Sequence, residues 1–523
     1  MLKGRVFEGK ILLNYIPDIV LAGSFAALSF YLLVGYSKME VVVTVPSVSI
    51  LSFLFVKETK EVTWRYFVSH KKLCGFLVLC AVLLMKSMHQ QKVEMMMSHP
   101  QMLFFFHISF RLLSLPAMVY FLIWTVREVS EFLLRFVADL GLNKAAKKAG
   151  MFFAVVSAVG ILVLYEGNPA WYLQNDLVYS MDSGWVLKGI CQDSLYYDIR
   201  HPVLGVIVTP VCLVISSILG FFFSGELHTM LVAAGIQMIN VFLLIFIGLA
   251  IMRLSQNKWV FWLYMVSFPT MLFSVFLEKF QVCAFLTVVY LYMLNSNSKR
   301  TEIPLVMAIG AMPTSAFIYL NELLIHEPLT DKTKRGAKYG IFGMLFLIFT
   351  GRAKLLNLLE LYDSVDSMTK IFGVEKSSLK DLFYSFLNMI QSCFLALPSI
   401  QNHGYTWKNI LENVSFIAII LLAVVLLGAV VGRKEQFIRT CTVWLVVAAA
   451  LIFVFRWSVH ESPLFSIYFS WALIPLFQRG VQFLIDRLRL PERVSYSFLL
   501  ITMLAVNVAQ LVTIGIYLRG AEV

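Results

Sequence analysis

The stretch HTMLVAAGIQMINVFLLIFIGLAIM, residues 228–252, contains no aspartate, glutamate, lysine or arginine, and Arg253 follows it directly. A helix of about 20 such residues crosses a hydrocarbon layer roughly 30 Å thick. Comparable apolar stretches recur along the 523 residues, of which 59% are hydrophobic and only 14% are charged. Soluble domains have about 45–50% apolar and about 25% charged residues. The sequence therefore predicts an all-α, polytopic transmembrane protein.

The apolar stretches and the basic residues between them predict about thirteen transmembrane helices. Lys3, Arg5 and Lys10 assign the N-terminus to the cytoplasm, because positive residues favour that side. Two further apolar segments, 201–223 and 303–325, contain prolines and would place basic residues outside if they crossed. We expect them to be re-entrant or outer-face helices. The predicted spans are 11–36, 39–56, 73–87, 102–125, 149–165, 228–252, 259–277, 280–296, 339–350, 413–432, 438–455, 464–478 and 494–518.

This threading predicts three regions in the chain. Residues 1–148 form an extension of four spans, which ends in a loop with apolar residues at helical spacing and so in a helix on the inner interface. Residues 149–480 form a transmembrane core with outer loop one at 166–227 and outer loop two at 351–412. Residues 481–523 hold an inner loop and the last span.

The net charge of +12 does not indicate nucleic-acid binding. The basic residues cluster in short loops, as expected for cytoplasmic loops of a membrane protein. A basic face with interleaved aromatic residues, typical of nucleic-acid binding, is not found in the sequence. The seven cysteines show no spacing typical of zinc ligands, and their odd number argues against a full disulfide framework.

Outer loop one carries most of the chemistry that the sequence suggests. A carboxylate there can act as a general base towards a hydroxyl, or bind a divalent cation such as Mg²⁺ or Mn²⁺ through its oxygens. The aromatic residues of the same loop can stack on sugars or form an interfacial belt. The plainer alternative is a solvated polar loop. The polar candidates in this loop are Asp176, Asp182, Asp193, Asp198, Arg200 and His201.

The order of these parts resembles the GT-C superfamily of membrane glycosyltransferases, which use polyprenyl-phosphate sugars. Members have an outward helix, then an outer loop with an essential acid, then a His-Pro-Leu-like element. The matching residues here are Asp182-Ser183, in YSMDSGWVLKGI, and His201-Pro202-Val203-Leu204, in DIRHPVLGVIVTP. A later proline followed by an acid has its counterpart in Pro269 and Glu278-Lys279, in FPTMLFSVFLEKFQ. The resemblance covers roughly residues 149–480.

The resemblance implies roles for individual residues. Asp182 would deprotonate the acceptor hydroxyl, with inversion at the sugar and lipid phosphate as the leaving group. Cations would stabilise the charge of that phosphate, although each cation could instead be an interfacial anchor. The candidate cations are Arg200, Lys279, Arg352, Lys354 and Arg456, and the other donor-binding candidates are Asp176, Asp193, Asp198, His201, Glu278, His460 and Glu461.

We therefore expect an enzyme that transfers a sugar from a polyprenyl-phosphate donor to a glycan, lipid or protein acceptor on the non-cytoplasmic face. The expected location is a bacterial plasma membrane. A lipid-linked-saccharide flippase or polymerase is the main alternative. A small-solute transporter would show inverted repeats and charges deep within spans, and the sequence shows no such repeat.

Overall fold

A computed structural model of the protein describes residues 17–27, 38–79, 81–82, 100–140, 144–167, 183–184, 186–187, 201, 204–296, 301–324, 328–349, 378–396, 416–456 and 462–520. Every regular element within these ranges is helical, which confirms the all-α prediction for them. Four helices are long and apolar enough to cross a bilayer: Lys147–Tyr165, Gly225–Ser255, Gln436–Phe453 and Glu492–Leu518. These helices are consistent with a membrane protein, and the count of thirteen spans remains a prediction.

The helices follow one another with short connections wherever the structure describes them. They are α1 (Pro17–Ala27), α2 (Lys38–Ser69), α3 (Pro100–Asp139), α4 (Lys144–Gly167), α5 (Leu204–Gly220), α6 (Gly225–Ser255), α7 (Lys258–Val266), α8 (Phe268–Phe273), α9 (Phe280–Asn295), α10 (Glu302–Ala311), a 3₁₀-helix (Pro313–Leu324), α11 (Leu329–Phe349), α12 (Leu379–Ser392), α13 (Phe416–Val431), α14 (Gln436–Phe453), α15 (Ser462–Leu488) and α16 (Glu492–Gly520). A further helical stretch covers 71–79.

The chain divides into two compact units, Met1–Arg135 with Lys334–Ser364 and Phe136–Thr333 with Val365–Val523. In the first unit, the ring of Trp124 packs edge-on against Phe55 and Phe342, with centroids 4.8 and 4.9 Å apart. Aromatic contacts of this geometry stabilise a core beyond the area that they bury. Lys60 in this unit pairs with the buried Asp18 at 2.7 Å. The three regions predicted from the sequence remain a prediction.

The second unit is built around α15, whose side chains are buried along most of the helix. Helix α13 crosses α15 at a pair of glycines. A Cβ built on Gly428 overlaps the carbonyl oxygen of Leu476, and a Cβ built on Gly480 overlaps the carbonyl oxygen of Val424. Only glycine fits these two positions, because any side chain would separate the two backbones. Small residues at helix crossings are typical of membrane proteins, where close backbone contact drives association.

Two elements differ from the sequence prediction in helical continuity: one helix runs on without a break, and one predicted span is interrupted. The helix predicted after the span 102–125 is continuous with that span, because α3 runs on to Asp139 and residues 126–139 contain neither proline nor glycine; its position on the inner interface remains a prediction. The predicted span 259–277 is not one continuous helix, since the chain leaves helical geometry at Ser267 and again after Phe273. Pro269 lies in the first turn of α8 and lacks the amide hydrogen that would continue α7. The segment 303–325 forms α10 and the 3₁₀-helix, with Met312 in extended conformation between them.

Within the predicted segment 201–223, α5 packs against the first half of α6. His228 lies 3.0 Å from the carbonyl oxygen of Ser216, and a Cβ on Gly235 would lie 3.1 Å from Ile215. The turn between the two helices exposes Phe221 and Phe222, at 85% and 76% of their surface. Large exposed aromatic side chains at a helix end are typical of residues that enter the membrane interface.

Asn507 of α16 joins two interruptions of helical structure in the second unit. Its Nδ2 donates to the carbonyl oxygen of Val266, where α7 ends, at 2.8 Å, and to that of Phe394, beyond α12, at 2.9 Å. Its Oδ1 accepts from the amide of Ala396 at 2.9 Å. The amide of Phe268 also donates to the Phe394 carbonyl, at 3.1 Å. A broken helix inside a membrane protein needs such partners, because hydrocarbon offers none.

Candidate functional site

The connection Ser274–Lys279, between α8 and α9, is a buried non-helical loop in the second unit. Side-chain amides hydrogen-bond its backbone and the end of α8. Gln237 and Gln281 donate to the carbonyl oxygen of Phe273, at 2.6 and 3.2 Å. Asn240 donates to the carbonyl oxygen of Glu278 at 3.2 Å. These amides stabilise a loop that has left helical geometry, and so fix the backbone of the residues that it carries.

This loop holds two charged residues in the interior of the unit. Glu278 and Lys279 are 1% and 3% exposed. The Glu278 carboxylate accepts the backbone amide of Lys279 at 2.9 Å, and the Lys279 ammonium lies 5.8 Å from the centre of the Phe280 ring. Burying a charge is costly unless other groups compensate for it. A buried acid and base in a predicted membrane protein therefore form a functional-site hypothesis.

Two residues of the predicted outer loop one lie against the same region. Ser183 donates from its hydroxyl to the carbonyl oxygen of Leu277 at 2.8 Å, and it is buried. His201, also buried, donates from Nδ1 to the carbonyl oxygen of Ala311 at 2.7 Å. A carbonyl only accepts, so this contact requires the hydrogen on Nδ1. The His201 ring packs edge-on against Phe280, with centroids 5.6 Å apart.

The arrangement brings together three of the residues chosen from the sequence, since His201 and Lys279 both lie against Phe280 and the Glu278 carboxylate accepts the amide of Lys279. Arg456 follows α14 in the left-handed conformation, with φ 51°. The remaining candidates lie outside the residues that the structure describes. They are Asp176, Asp182, Asp193, Asp198, Arg200, Arg352, Lys354, His460 and Glu461.

Sequence reasoning missed the amides that hold the loop. Gln237 and Asn240 stand three residues apart in the stretch that defines α6, so they share one face of that helix. Their signal was present, because polar side chains inside a long apolar stretch need a buried partner. Gln281 gave a weaker signal, since it follows a charged pair and looks like part of a solvated helix end.

Chemically, a buried carboxylate, an ammonium group and an imidazole can bind an anion and move a proton. Within the described ranges, no three His, Cys, Asp or Glu side chains come together as metal ligands. The acids predicted to bind Mg²⁺ or Mn²⁺ lie in outer loop one, beyond those ranges.

No protein-family model matches the chain, and no curated protein or solved structure does.

Proposed function

We propose that the protein is a membrane glycosyltransferase of the GT-C type, which transfers a sugar from a polyprenyl-phosphate donor to an acceptor on the non-cytoplasmic face. The observation that carries the proposal is the shared position of three motifs. Ser183 of the Asp-Ser motif hydrogen-bonds the loop between α8 and α9, the Glu-Lys motif belongs to this loop, and His201 of the His-Pro motif packs against Phe280, the first residue after it.

In this proposal, the charge of each side chain determines its role in sugar transfer. Lys279 provides hydrogen-bond donors and positive charge for the departing lipid phosphate, in an interior where such interactions are stronger than in water. His201 helps to position Phe280 beside Lys279, because its Nδ1 hydrogen is already donated to the Ala311 carbonyl. Asp182, which precedes Ser183 in the chain, is the proposed base for the acceptor hydroxyl. Glu278 holds the amide of Lys279 and balances its charge. Mg²⁺ or Mn²⁺ at the acids of outer loop one remains part of the proposal.

The test is sugar transfer by purified protein in lipid nanodiscs, with radiolabelled polyprenyl-phosphate sugars as donors. We expect Asp182→Asn to lower turnover by about 10²- to 10⁴-fold, the usual effect of removing a general base, with donor binding retained. We expect Glu278→Gln to lower both binding and turnover, because it leaves Lys279 without the carboxylate.

Glu226→Gln is the matched control, since Glu226 is exposed in the first turn of α6. It makes the same chemical change and should leave turnover unaltered. Size-exclusion profiles of all variants must match the parent, so that a loss of activity is not a loss of fold. Full turnover in Asp182→Asn would contradict its role as the base.

A lipid-linked-saccharide flippase is the second candidate, and one observation favours it. Asn240, which contacts the carbonyl of Glu278, is the sixteenth of the 31 residues of α6. The charged pair is therefore near the middle of a candidate span, beside the breaks in α7–α9. Transport sites often lie near the bilayer midplane at discontinuous helices. Movement of a fluorescent lipid-linked sugar between leaflets, with its phosphate–sugar bond intact and no transfer, would favour this candidate.

A further inference from the structure

An apolar groove of about 370 Å³ lies between α4 and α16 in the second unit. Its floor is the end of α8 and the start of the loop that carries Glu278 and Lys279. The volume lies within the range of small-molecule sites, roughly 300 to 1,000 Å³. The lining comes from Phe153, Val156, Ser157, Gly160, Val163 and Leu164 of α4, from Met271, Ser274, Val275 and Phe276, and from Val508, Leu511, Val512, Gly515, Ile516 and Leu518 of α16.

The groove offers almost no hydrogen-bonding surface. Its two serines donate to carbonyl oxygens of their own segments, Ser157 to Phe153 and Ser274 to Met271, both at 2.8 Å. A sugar or a peptide bound here would lose its hydrogen bonds to water without replacement. The surface instead suits a hydrocarbon chain, which gains free energy in proportion to the apolar area that it buries.

Two glycines create the space in the walls. A Cβ on Gly515 would lie 4.0 Å from Leu164, and a Cβ on Gly160 would lie 3.3 Å from Val275. Larger side chains at either position would project into the groove or displace its wall. The walls themselves belong to two of the four candidate spans, and Val512 and Ile516 are largely exposed beside the groove. The groove therefore borders the surface that would face lipid.

We infer that this groove binds the single isoprenoid chain of the lipid-phosphate carrier, with its first units against Phe276 and its phosphate at the loop two residues further on. The inference rests on the proposed function for the identity of the lipid. A glycerophospholipid brings two chains side by side, whereas the space between α4 and α16 is one groove. Gly160 and Gly515 leave the walls of the groove without side chains at these two positions.

The probe is a polyprenyl phosphate with a diazirine on its chain, photolysed with the full-length protein in nanodiscs. Labelled peptides are mapped by mass spectrometry. We expect labelling within 153–164 and 508–518. Gly515→Phe should lower it roughly tenfold, the effect of removing about two methylene groups from contact. Leu504→Phe is the control, because Leu504 is exposed on α16 outside the groove. This substitution also enlarges a side chain of α16, but not one that lines the groove. It should label as the parent does.

A diacyl phospholipid with the same photogroup separates the two lipid sources. Labelling of the groove by this probe, equal to that of polyprenyl phosphate, would overturn the inference. Equal labelling of Gly515→Phe and the parent would overturn it too. Groove labelling by polyprenyl phosphate in a protein that transfers no sugar would support the inference while contradicting the transferase proposal. Gly515→Ala, which meets no atom closer than 4.0 Å, checks that substitution at this position preserves the fold.

Discussion

Replacing Asn507 by leucine should destabilise the second unit more than any single interhelical hydrogen bond accounts for. The substitution keeps the size of a fully buried side chain, but it removes one acceptor and two donated bonds. The amide of Ala396 and the carbonyl of Val266 lose this partner, whereas the Phe394 carbonyl still receives the amide of Phe268. An unsatisfied buried backbone group costs about 1–3 kcal/mol, so two give roughly 2 to 6 kcal/mol.

A second way of estimating the loss of unfolding free energy gives a smaller value. Interhelical hydrogen bonds measured in membranes average about 0.6 kcal/mol each, which would give roughly 2 kcal/mol for three bonds of average strength. We expect the larger loss, because Asn507 supports backbone at two helix interruptions and hydrocarbon supplies no replacement. The free energy of unfolding can be followed by circular dichroism in a titration from mild detergent to dodecyl sulfate. Alkylation of the buried Cys393, three residues before Ala396, reports opening at the site itself.

Asn295→Leu is the matched control, since Asn295 donates to the Leu291 carbonyl of its own helix at 2.9 Å and is partly exposed. We expect a loss below about 1 kcal/mol there. If Asn507→Leu costs no more than Asn295→Leu, and Cys393 stays protected, the reasoning about unsatisfied backbone is refuted.

Two further substitutions test the packing and the surface. Gly428→Leu should prevent assembly of α13 on α15 and abolish a monodisperse size-exclusion peak, because its side chain would overlap backbone that cannot move aside. Its control, Gly340→Ala, has no atom within 4 Å of the new Cβ and should raise the melting temperature slightly; equal effects of the two substitutions would contradict this account. Glu435→Gln breaks a 2.7 Å ion pair with Arg479 in which both side chains are more than a third exposed, so the unfolding free energy should fall by less than about 1 kcal/mol, and a larger fall would show that the pair is shielded from solvent.

The helical class could be predicted from composition and from single stretches such as 228–252, because length and hydropathy alone determine which segments suit a bilayer. The interruptions could not. Ser267 and Met312 leave helical geometry inside apolar segments, and what permits this is a distant partner, such as Asn507 for the first break. A window that averages hydropathy contains no information about such a partner. The glycines of α13 and α15 raised no signal either, since their importance depends on which helices cross.

The candidate site, too, could be predicted from the sequence only in part. Glu278 and Lys279 stood out as a charged pair between two predicted spans and His201 as part of the His-Pro element of outer loop one, and the structure brings them to one region. Burial of the Glu-Lys pair did not follow from the sequence, because the pair stands between two predicted spans, where an interfacial anchor and a functional site are both possible. The amides of Gln237 and Asn240 keep that loop inside the unit, and their role follows from tertiary contact rather than from neighbours in the chain. The assignment of Asp182 remains a prediction.

The length of α6 has a consequence for the membrane that hosts the protein. Its 31 residues extend over about 46 Å at roughly 1.5 Å per residue, close to the 40–45 Å of a bilayer that includes both head-group layers. Exposed Phe221 and Phe222 precede its first turn, and Arg253 lies in its last. In a bilayer of this thickness, both ends reach the head groups that suit them. Shorter acyl chains would force α6 to tilt, at a fraction of a kcal/mol for each ångström of mismatch. Lipid chain length would thus act directly on the helix that supports Glu278.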